Sequence, residues 1–253
     1  MSTYTVAMMQ IRVIPNALEK NLEHMKQSLK LAKNADIALF PECCDLGWAS
    51  ASSSDLAQPI PGGTTVQFIQ EMAKEFHIYI VAGITEREHG KIFNTAVLIS
   101  NTGEFLGKYR KINLVQNVEQ MYEIGDRIRI YHTPLGKIGI NICADNLMSS
   151  IMIGESMAKM GANLILSPSS WAVPPEKLNN EYGKEWIDPF TYLSQKYNID
   201  IVSVSNVGPV IDGAWKGWSC IGNSIAIGNK GQKMLTLNYG EDAEQVDLFQ
   251  YEI

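Results

Sequence analysis

The chain has 253 residues, 45% of them hydrophobic and 19% charged, with a formal net charge of −6 at neutral pH. That length suffices to bury one sizeable core, and a single domain over residues 1–253 is expected. No apolar run approaches a membrane span, Met1 to Val13 lacks the basic and long apolar regions of a signal peptide, and the basic residues are scattered. The sequence therefore predicts no membrane and no nucleic-acid partner, with a cytoplasmic location. The four cysteines, at 43, 44, 143 and 220, follow neither a zinc spacing nor a dense disulfide framework, so reduced thiols and no metal are expected.

In chain order, Thr5 to Val13 reads as a buried strand, followed by a helix from about Asn16 to Lys33 with Leu18, Leu22, Met25, Leu29 and Ala32 on one stripe. Ile37 to Phe40 is a short buried strand. After a loop containing Ser52-Ser-Ser54 and Pro59-Ile-Pro-Gly-Gly63, Thr64 and Gln67 have the spacing of a capping box, opening a helix to Phe76. Strands follow over Ile78 to Ile84, Phe93 to Ser100 and Glu104 to Tyr109, punctuated by Glu88-His-Gly90 and Asn101-Thr-Gly103. Ile128 to His132 and Ile138 to Ile142 are joined through Pro134-Leu-Gly136, and a helix from about Met148 to Met160 stops at Gly161. Leu164 to Ser167 is another buried strand. A loop rich in Pro and Trp leads to a helix from Glu185 to Lys196 and the strand Asp200 to Ser205. The last strands fit Ser224 to Ile227, Lys233 to Leu237 and Val246 to Tyr251. The pattern is mixed α/β, with helices spaced to cover sheet faces.

The chemistry starts in Lys137-Ile-Gly-Ile-Asn-Ile-Cys-Ala-Asp-Asn146, where an alternating strand ends on Cys143 and the periodicity becomes helical. Backbone N–H groups at such a junction favour a thiolate and hold an oxyanion. A cysteine nucleophile needs a base, usually histidine. Here His24 lies in a helix, His77 near a helix end, His89 in a turn and His132 at a strand end, none beside another catalytic group. A carboxylate is the better candidate, and Glu42 follows Pro41 at a strand end, where ligand sites of α/β proteins form. Lys111 follows another strand at a comparable edge. Taken singly, Glu42 reads as a loop acid, Lys111 as a surface charge and Cys143 as a small buried hydrophobe. Together they make one constellation if their strands are neighbours.

The segments Ala38-Leu-Phe-Pro-Glu42, Gly107-Lys-Tyr-Arg-Lys-Ile-Asn-Leu114, Glu123-Ile-Gly-Asp126, Gly139-Ile-Asn-Ile-Cys-Ala-Asp145 and Gly161-Ala-Asn-Leu-Ile-Leu-Ser-Pro-Ser169 occur in that order. By their order and spacing the chain resembles the nitrilase, or carbon-nitrogen hydrolase, superfamily over nearly its whole length. The resemblance implies a four-layer α-β-β-α sandwich, commonly a homodimer, working without metal or organic cofactor. It puts the family's catalytic glutamate, lysine and cysteine on Glu42, Lys111 and Cys143, and a frequent additional glutamate on Glu119. In those roles Glu42 is the base, while Lys111 and the backbone N–H of Ala144 hold the oxyanion; Glu119 positions the substrate's nitrogen or orients Lys111.

The chain departs from the family pattern at Ala144, where an aromatic residue is frequent, and at Asn146-Leu147, where an arginine is frequent. Asp145 stands where true nitrilases usually carry glutamate, as in the amidase and carbamoylase branches. The leading expectation is therefore hydrolysis of a small linear amide by water. N-carbamoyl and nitrile hydrolysis are the alternatives within the class, and a non-catalytic small-molecule-binding protein of the same fold is the alternative outside it.

Trp48, Tyr122, Trp171, Tyr182, Trp215 and Trp218 fall in predicted loops, and Trp48, Tyr122 and Trp171 are expected to wall the substrate pocket. Asp45, Glu119, Glu123, Glu176 and Asp212 share these loops and point to a cationic or amine-bearing substrate. Cys43 and Cys44 are adjacent, which disulfide geometry fits poorly, and read as free thiols near the site. Cys220 reads as packing. Pro61-Gly-Gly63 is not followed by Gly-Lys-Ser/Thr, so it is a turn into a helix rather than a phosphate loop.

Overall fold

The computed structural model describes residues 2–178 and 182–253; residue 1 and residues 179–181, in the stretch read as a Pro- and Trp-rich loop, lie outside the described residues. The first half contains strands β1 (Thr3–Gln10), β2 (Ile37–Leu39), β3 (Tyr79–Glu88), β4 (Lys91–Ile99) and β5 (Phe105–Arg110), with helices α1 (Leu18–Leu29), α2 (Ser53–Leu56) and α3 (Thr64–Phe76). In the second half, β6 (Ile130–Thr133), β7 (Gly136–Ile140), helix α4 (Met152–Lys159), β8 (Leu164–Ser169), β9 (Ala172–Val173) and helix α5 (Lys184–Tyr197) come first. Strands β10 (Asp200–Ser205), β11 (Val207–Pro209), β12 (Ser219–Ile221), β13 (Ile225–Ile227), β14 (Lys233–Thr236) and β15 (Gln245–Glu252) complete the chain.

Two six-stranded sheets form, in the orders β15-β1-β2-β3-β4-β5 and β14-β13-β10-β8-β7-β6, beside a small β11-β12-β9 sheet. The parallel pairs β1–β2, β2–β3, β7–β8 and β8–β10 need crossovers, which α1, α3, α4 and α5 supply. Strand alternation then sorts the side chains. Ala7 and Met9 of β1 join Ala38 and Phe40 under α1 and α3, whereas Val6 and Met8 join Ile37, Leu39 and Val81 against the second sheet. The result is the four-layer α-β-β-α sandwich that the family resemblance implied. Each fully buried aliphatic side chain in these interfaces contributes roughly 1.5–3 kcal/mol, which fixes the strand ends.

The capping box expected at Thr64 and Gln67 does not form. Gln58 Oε1 takes both the Thr64 hydroxyl (2.8 Å) and the Thr65 N–H (3.0 Å), and Gln67 Nε2 reaches only the Gly62 carbonyl at 3.5 Å. The expected helix from Met148 is also shorter: Met148–Ser150 is a separate 3-10 turn and α4 begins at Met152. Among the described residues no helix is long and apolar enough to cross a membrane.

Candidate active site

The ends of the two sheets are joined directly. The Glu42 N–H donates to the Ser169 carbonyl at the end of β8 (3.2 Å), and the Ser170 hydroxyl donates to the Glu42 carbonyl (3.3 Å). Glu42 crosses so close over β3 that a Cβ on Gly83 would lie 2.5 Å from its Cα, so only glycine fits there. Lys111 leaves β5 with its N–H on the Asn94 carbonyl and its own carbonyl accepting from Gly125, both at 2.9 Å. A Cβ on Gly125 would lie 2.1 Å from the Arg110 carbonyl oxygen, which explains the glycine in the Glu123–Asp126 segment.

Cys143 is the first residue of a 3-10 turn (Cys143–Asn146) and has φ +45°, a strained setting for a non-glycine residue. Its neighbour Asp145 holds that turn in place. The carboxylate accepts from Ile142 N (3.0 Å), the Tyr109 hydroxyl (2.8 Å), Asn113 N (2.8 Å) and Asn113 Nδ2 (2.9 Å), tying the cysteine turn to the chain just after Lys111. Asn146 Nδ2 adds a bond to the Cys143 carbonyl (3.2 Å) and another to Ser167 Oγ (2.7 Å). At the first positions of a 3-10 turn the N–H groups precede any acceptor within the turn, which makes the Ala144 N–H a donor for a ligand.

Glu42, Lys111 and Glu119 are fully buried together. Lys111 Nζ donates to Glu42 Oε1 (2.7 Å) and Glu119 Oε1 (2.8 Å). Asn94 Nδ2 spans the same two oxygens, at 2.7 Å and 3.1 Å, while Trp48 Nε1 reaches Glu119 Oε1 (2.7 Å) and Val115 N reaches Glu119 Oε2 (2.6 Å). Glu42 Oε2 accepts no hydrogen bond among the described residues. Burial pushes the Glu42 carboxyl up to about 7, with Lys111 pulling it down and the Glu119 charge pushing it further up. For Lys111, burial favours loss of the proton, but the carboxylates of Glu119 and Glu42 prevail and hold its pKa well above the ordinary lysine value.

The Cys143 thiol is pushed well above its usual range by burial and then by the Glu42 charge; Lys111 and the Ser170 N–H act in the opposite sense. The backbone N–H groups of the strand-to-helix junction, which can favour a thiolate, are thus outweighed here. A turn of four residues carries little of a helix dipole, and burial outweighs it. Cys143 rests as a thiol, and attack by its sulfur would need a base.

The family model described as carbon-nitrogen hydrolase matches residues 5–189. The chain belongs to the carbon-nitrogen hydrolase family. It is 31% identical over 172 residues to a nitrilase from Pyrococcus abyssi, covering 65% of this chain and 64% of that protein. Against an omega-amidase from Mus musculus it is 29% identical over 184 residues, covering 68% and 65%. The chain thus spans just under two thirds of the length of these relatives. In structure it is similar to a carbon-nitrogen hydrolase from Helicobacter pylori, with TM-score 0.85, 20% identity and coverage of 98% of this chain and 88% of the other. An amidase mutant from Nesterenkonia sp., with acrylamide added at the active-site cysteine, gives TM-score 0.80, 18% identity and coverage of 99% and 93%. At these identities the structural likeness speaks to the fold.

In this member of the carbon-nitrogen hydrolase family a cavity of about 620 Å³ opens onto Cys143, Ala144 and Ser170. All five tryptophans of the chain line it: Trp48, Trp171, Trp186, Trp215 and Trp218. Of the three residues expected to wall a substrate pocket, Trp48 and Trp171 are among these lining residues. Tyr122 is not: it is buried behind the site, its hydroxyl 3.7 Å from Cys43 Sγ. Trp186 was not among the expected wall residues, because it lies in the first turn of α5 rather than in a loop.

The acids expected to receive a cationic substrate are placed elsewhere. Asp45 is buried and accepts from Thr85 N (3.0 Å), Glu119 is bound to Lys111, Glu123 pairs with Lys91 (3.4 Å), and Asp212 accepts from Asn16 Nδ2 (2.8 Å) and Ala51 N (3.1 Å). Glu176 is exposed, and none of these five lines the cavity. Among the described residues, the charged ones that do are Lys177 and Glu185, both exposed. Cys43, Cys44 and Cys220 are buried free thiols, and no three His, Cys, Asp or Glu side chains among the described residues group to hold a metal ion.

Proposed function

We propose that the chain hydrolyses the carbon–nitrogen bond of a small linear amide through a thioester on Cys143, with Glu42 as proton carrier. One observation carries this reading: Glu42 Oε1 is occupied by Lys111 and Asn94 while Oε2 is unclaimed among the described residues, on a carboxyl whose pKa is about 7. A general base works best when its pKa lies near the operating pH.

In the first half-reaction Glu42 takes the thiol proton as Cys143 Sγ bonds to the amide carbon. The carbonyl oxygen becomes an oxyanion stabilised by Lys111 Nζ and the Ala144 N–H, donors already fixed in a dry site. Glu42 returns the proton to the nitrogen, the C–N bond breaks, and ammonia leaves a thioester. In the second, Glu42 removes a proton from water as the oxygen attacks the thioester carbon, then passes that proton to Cys143 Sγ as the C–S bond breaks, which releases the acid and restores the thiol and the ionised base. Glu119 acts through Lys111: with its oxygens held by Trp48, Asn94 and Val115, it fixes where the ammonium points. The omega-amidase among the similar proteins supports amides as the substrate class.

The test is a panel of primary amides, N-carbamoyl compounds and nitriles, read by ammonia release and by intact mass. The reading predicts turnover of amides, an acyl mass increment on the protein, and loss of both in Cys143→Ala. Turnover that survives Cys143→Ala contradicts it, and absence of both turnover and adduct favours a binding module.

A further inference from the structure

Two kinds of surroundings meet at Cys143. Glu42, Lys111 and Glu119 are fully buried and none lines the cavity, with Trp48, which does line it, donating to Glu119. The cavity onto which Cys143 opens is about 620 Å³ with aromatic walls. An amide carbon held at Sγ, with its nitrogen toward Glu42, therefore directs its acyl chain into the aromatic cavity and leaves room only for a small leaving group.

The aromatic rings form slabs. Trp215 and Trp218 stack at 4.1 Å and 15°, with Trp48 leaning on Trp215 at 5.2 Å. Trp171 and Trp186 stack at 5.0 Å and 14°, with Tyr182 against Trp171 at 6.3 Å. A cage for a small cation needs ring faces turned toward one point, whereas near-parallel stacks present flat apolar surfaces suited to another ring. Among the described lining residues the exposed Lys177 and Glu185 have opposite charges, so they favour neither sign of ligand. From these observations, and resting on the amide-hydrolase reading above, we infer that the substrate is a primary amide of an aryl- or arylalkyl-carboxylic acid, its ring held among the tryptophans.

The experiment compares kcat/KM for phenylacetamide, indoleacetamide, acetamide, succinamate, betaine amide and N-methylphenylacetamide. Burial of a ring of this size predicts that the two aryl primary amides exceed acetamide, succinamate and betaine amide by about 30-fold or more. The buried nitrogen side predicts that N-methylphenylacetamide is slower than phenylacetamide. Trp215→Ala and Trp218→Ala each lower the phenylacetamide-to-acetamide ratio by about tenfold, and Trp215→Phe retains most of it. The inference is overturned, with the amide-hydrolase reading intact, if a non-aryl amide equals the aryl ones or if neither alanine variant changes the ratio. If no amide is turned over, the hydrolase reading fails and the cavity is tested by itself through tryptophan fluorescence of Cys143→Ala. Tighter binding of phenylacetamide than of betaine amide and succinamate then supports the aryl site, and equal or weaker binding overturns it.

Discussion

Two buried carboxylate clusters share strands β3 to β5 and differ in one respect that decides what each does. Asn94 and Thr95 are consecutive on β4, and Arg110 and Lys111 are consecutive at the end of β5, so each pair points to opposite faces of the sheet. On one face Glu86, fully buried, receives Lys108 and Arg110 Nη2 (2.6 Å) on Oε1 and Arg110 Nε and Thr95 Oγ1 (both 2.8 Å) on Oε2. Glu88 adds a second carboxylate at 2.8 Å from Arg110, half exposed to solvent. Two cations there meet two acids, and both Glu86 oxygens are occupied. On the other face one cation, Lys111, meets two fully buried acids, and one Glu42 oxygen is unclaimed among the described residues. The first cluster is a strut between strands; the second holds a carboxyl near neutrality, poised to exchange a proton.

Removing the single cation is the harshest break in this comparison. Lys111→Met leaves two carboxylates facing each other without a counter-charge, and urea denaturation should show a loss of about 3–5 kcal/mol. Amide turnover should fall at least ~1,000-fold through loss of the oxyanion donor. Next comes the base: Glu42→Gln should lower kcat by about ten-thousand-fold while the protein remains folded by circular dichroism. The matched change on the other face, Glu86→Gln, should cost about 1–3 kcal/mol of stability, because a charge-assisted network loses its acceptor. Its kcat/KM should stay within about threefold of wild type, and a catalytic loss as large as that of Glu42→Gln would erase the distinction between the clusters.

The strand-end residues Glu42, Lys111 and Cys143 were legible because each follows an apolar run whose periodicity stops, and because the segments around them occur in a family's order. Asn94 was not. It sits within the apolar stretch Ile92-Phe-Asn-Thr-Ala-Val97, where a polar residue on a strand reads as an ordinary half-exposed position. Its contact with Glu42, 52 residues away in sequence, exists only once β2 and β4 pair on either side of β3 and the chain after β2 crosses over β3. Ser170 was hidden for the same reason: it follows β8, and it shares the cavity with Cys143 only because β7 and β8 pair in parallel. Strand alternation and helix stripes made the mixed α/β pattern legible and the family resemblance implied its layering, whereas the Thr64 cap lost to Gln58, a partner supplied by the loop before the helix. Loop acids misled because sequence proximity to a site says nothing about which way a carboxylate turns. Asp45, three residues after Glu42, turns away to Thr85.

The most direct test is the pH dependence of kcat/KM for an amide substrate in wild type, Glu119→Gln and Asn94→Ala. Glu42 must be ionised to accept the thiol proton, so activity should rise with pH through about 7. The Glu119 charge raises the Glu42 pKa and the Asn94 hydrogen bond lowers it, so the limb should move to lower pH in Glu119→Gln and to higher pH in Asn94→Ala. An acid limb at the ordinary glutamate value of 4.5, or one that stays in place in both variants, would contradict the account.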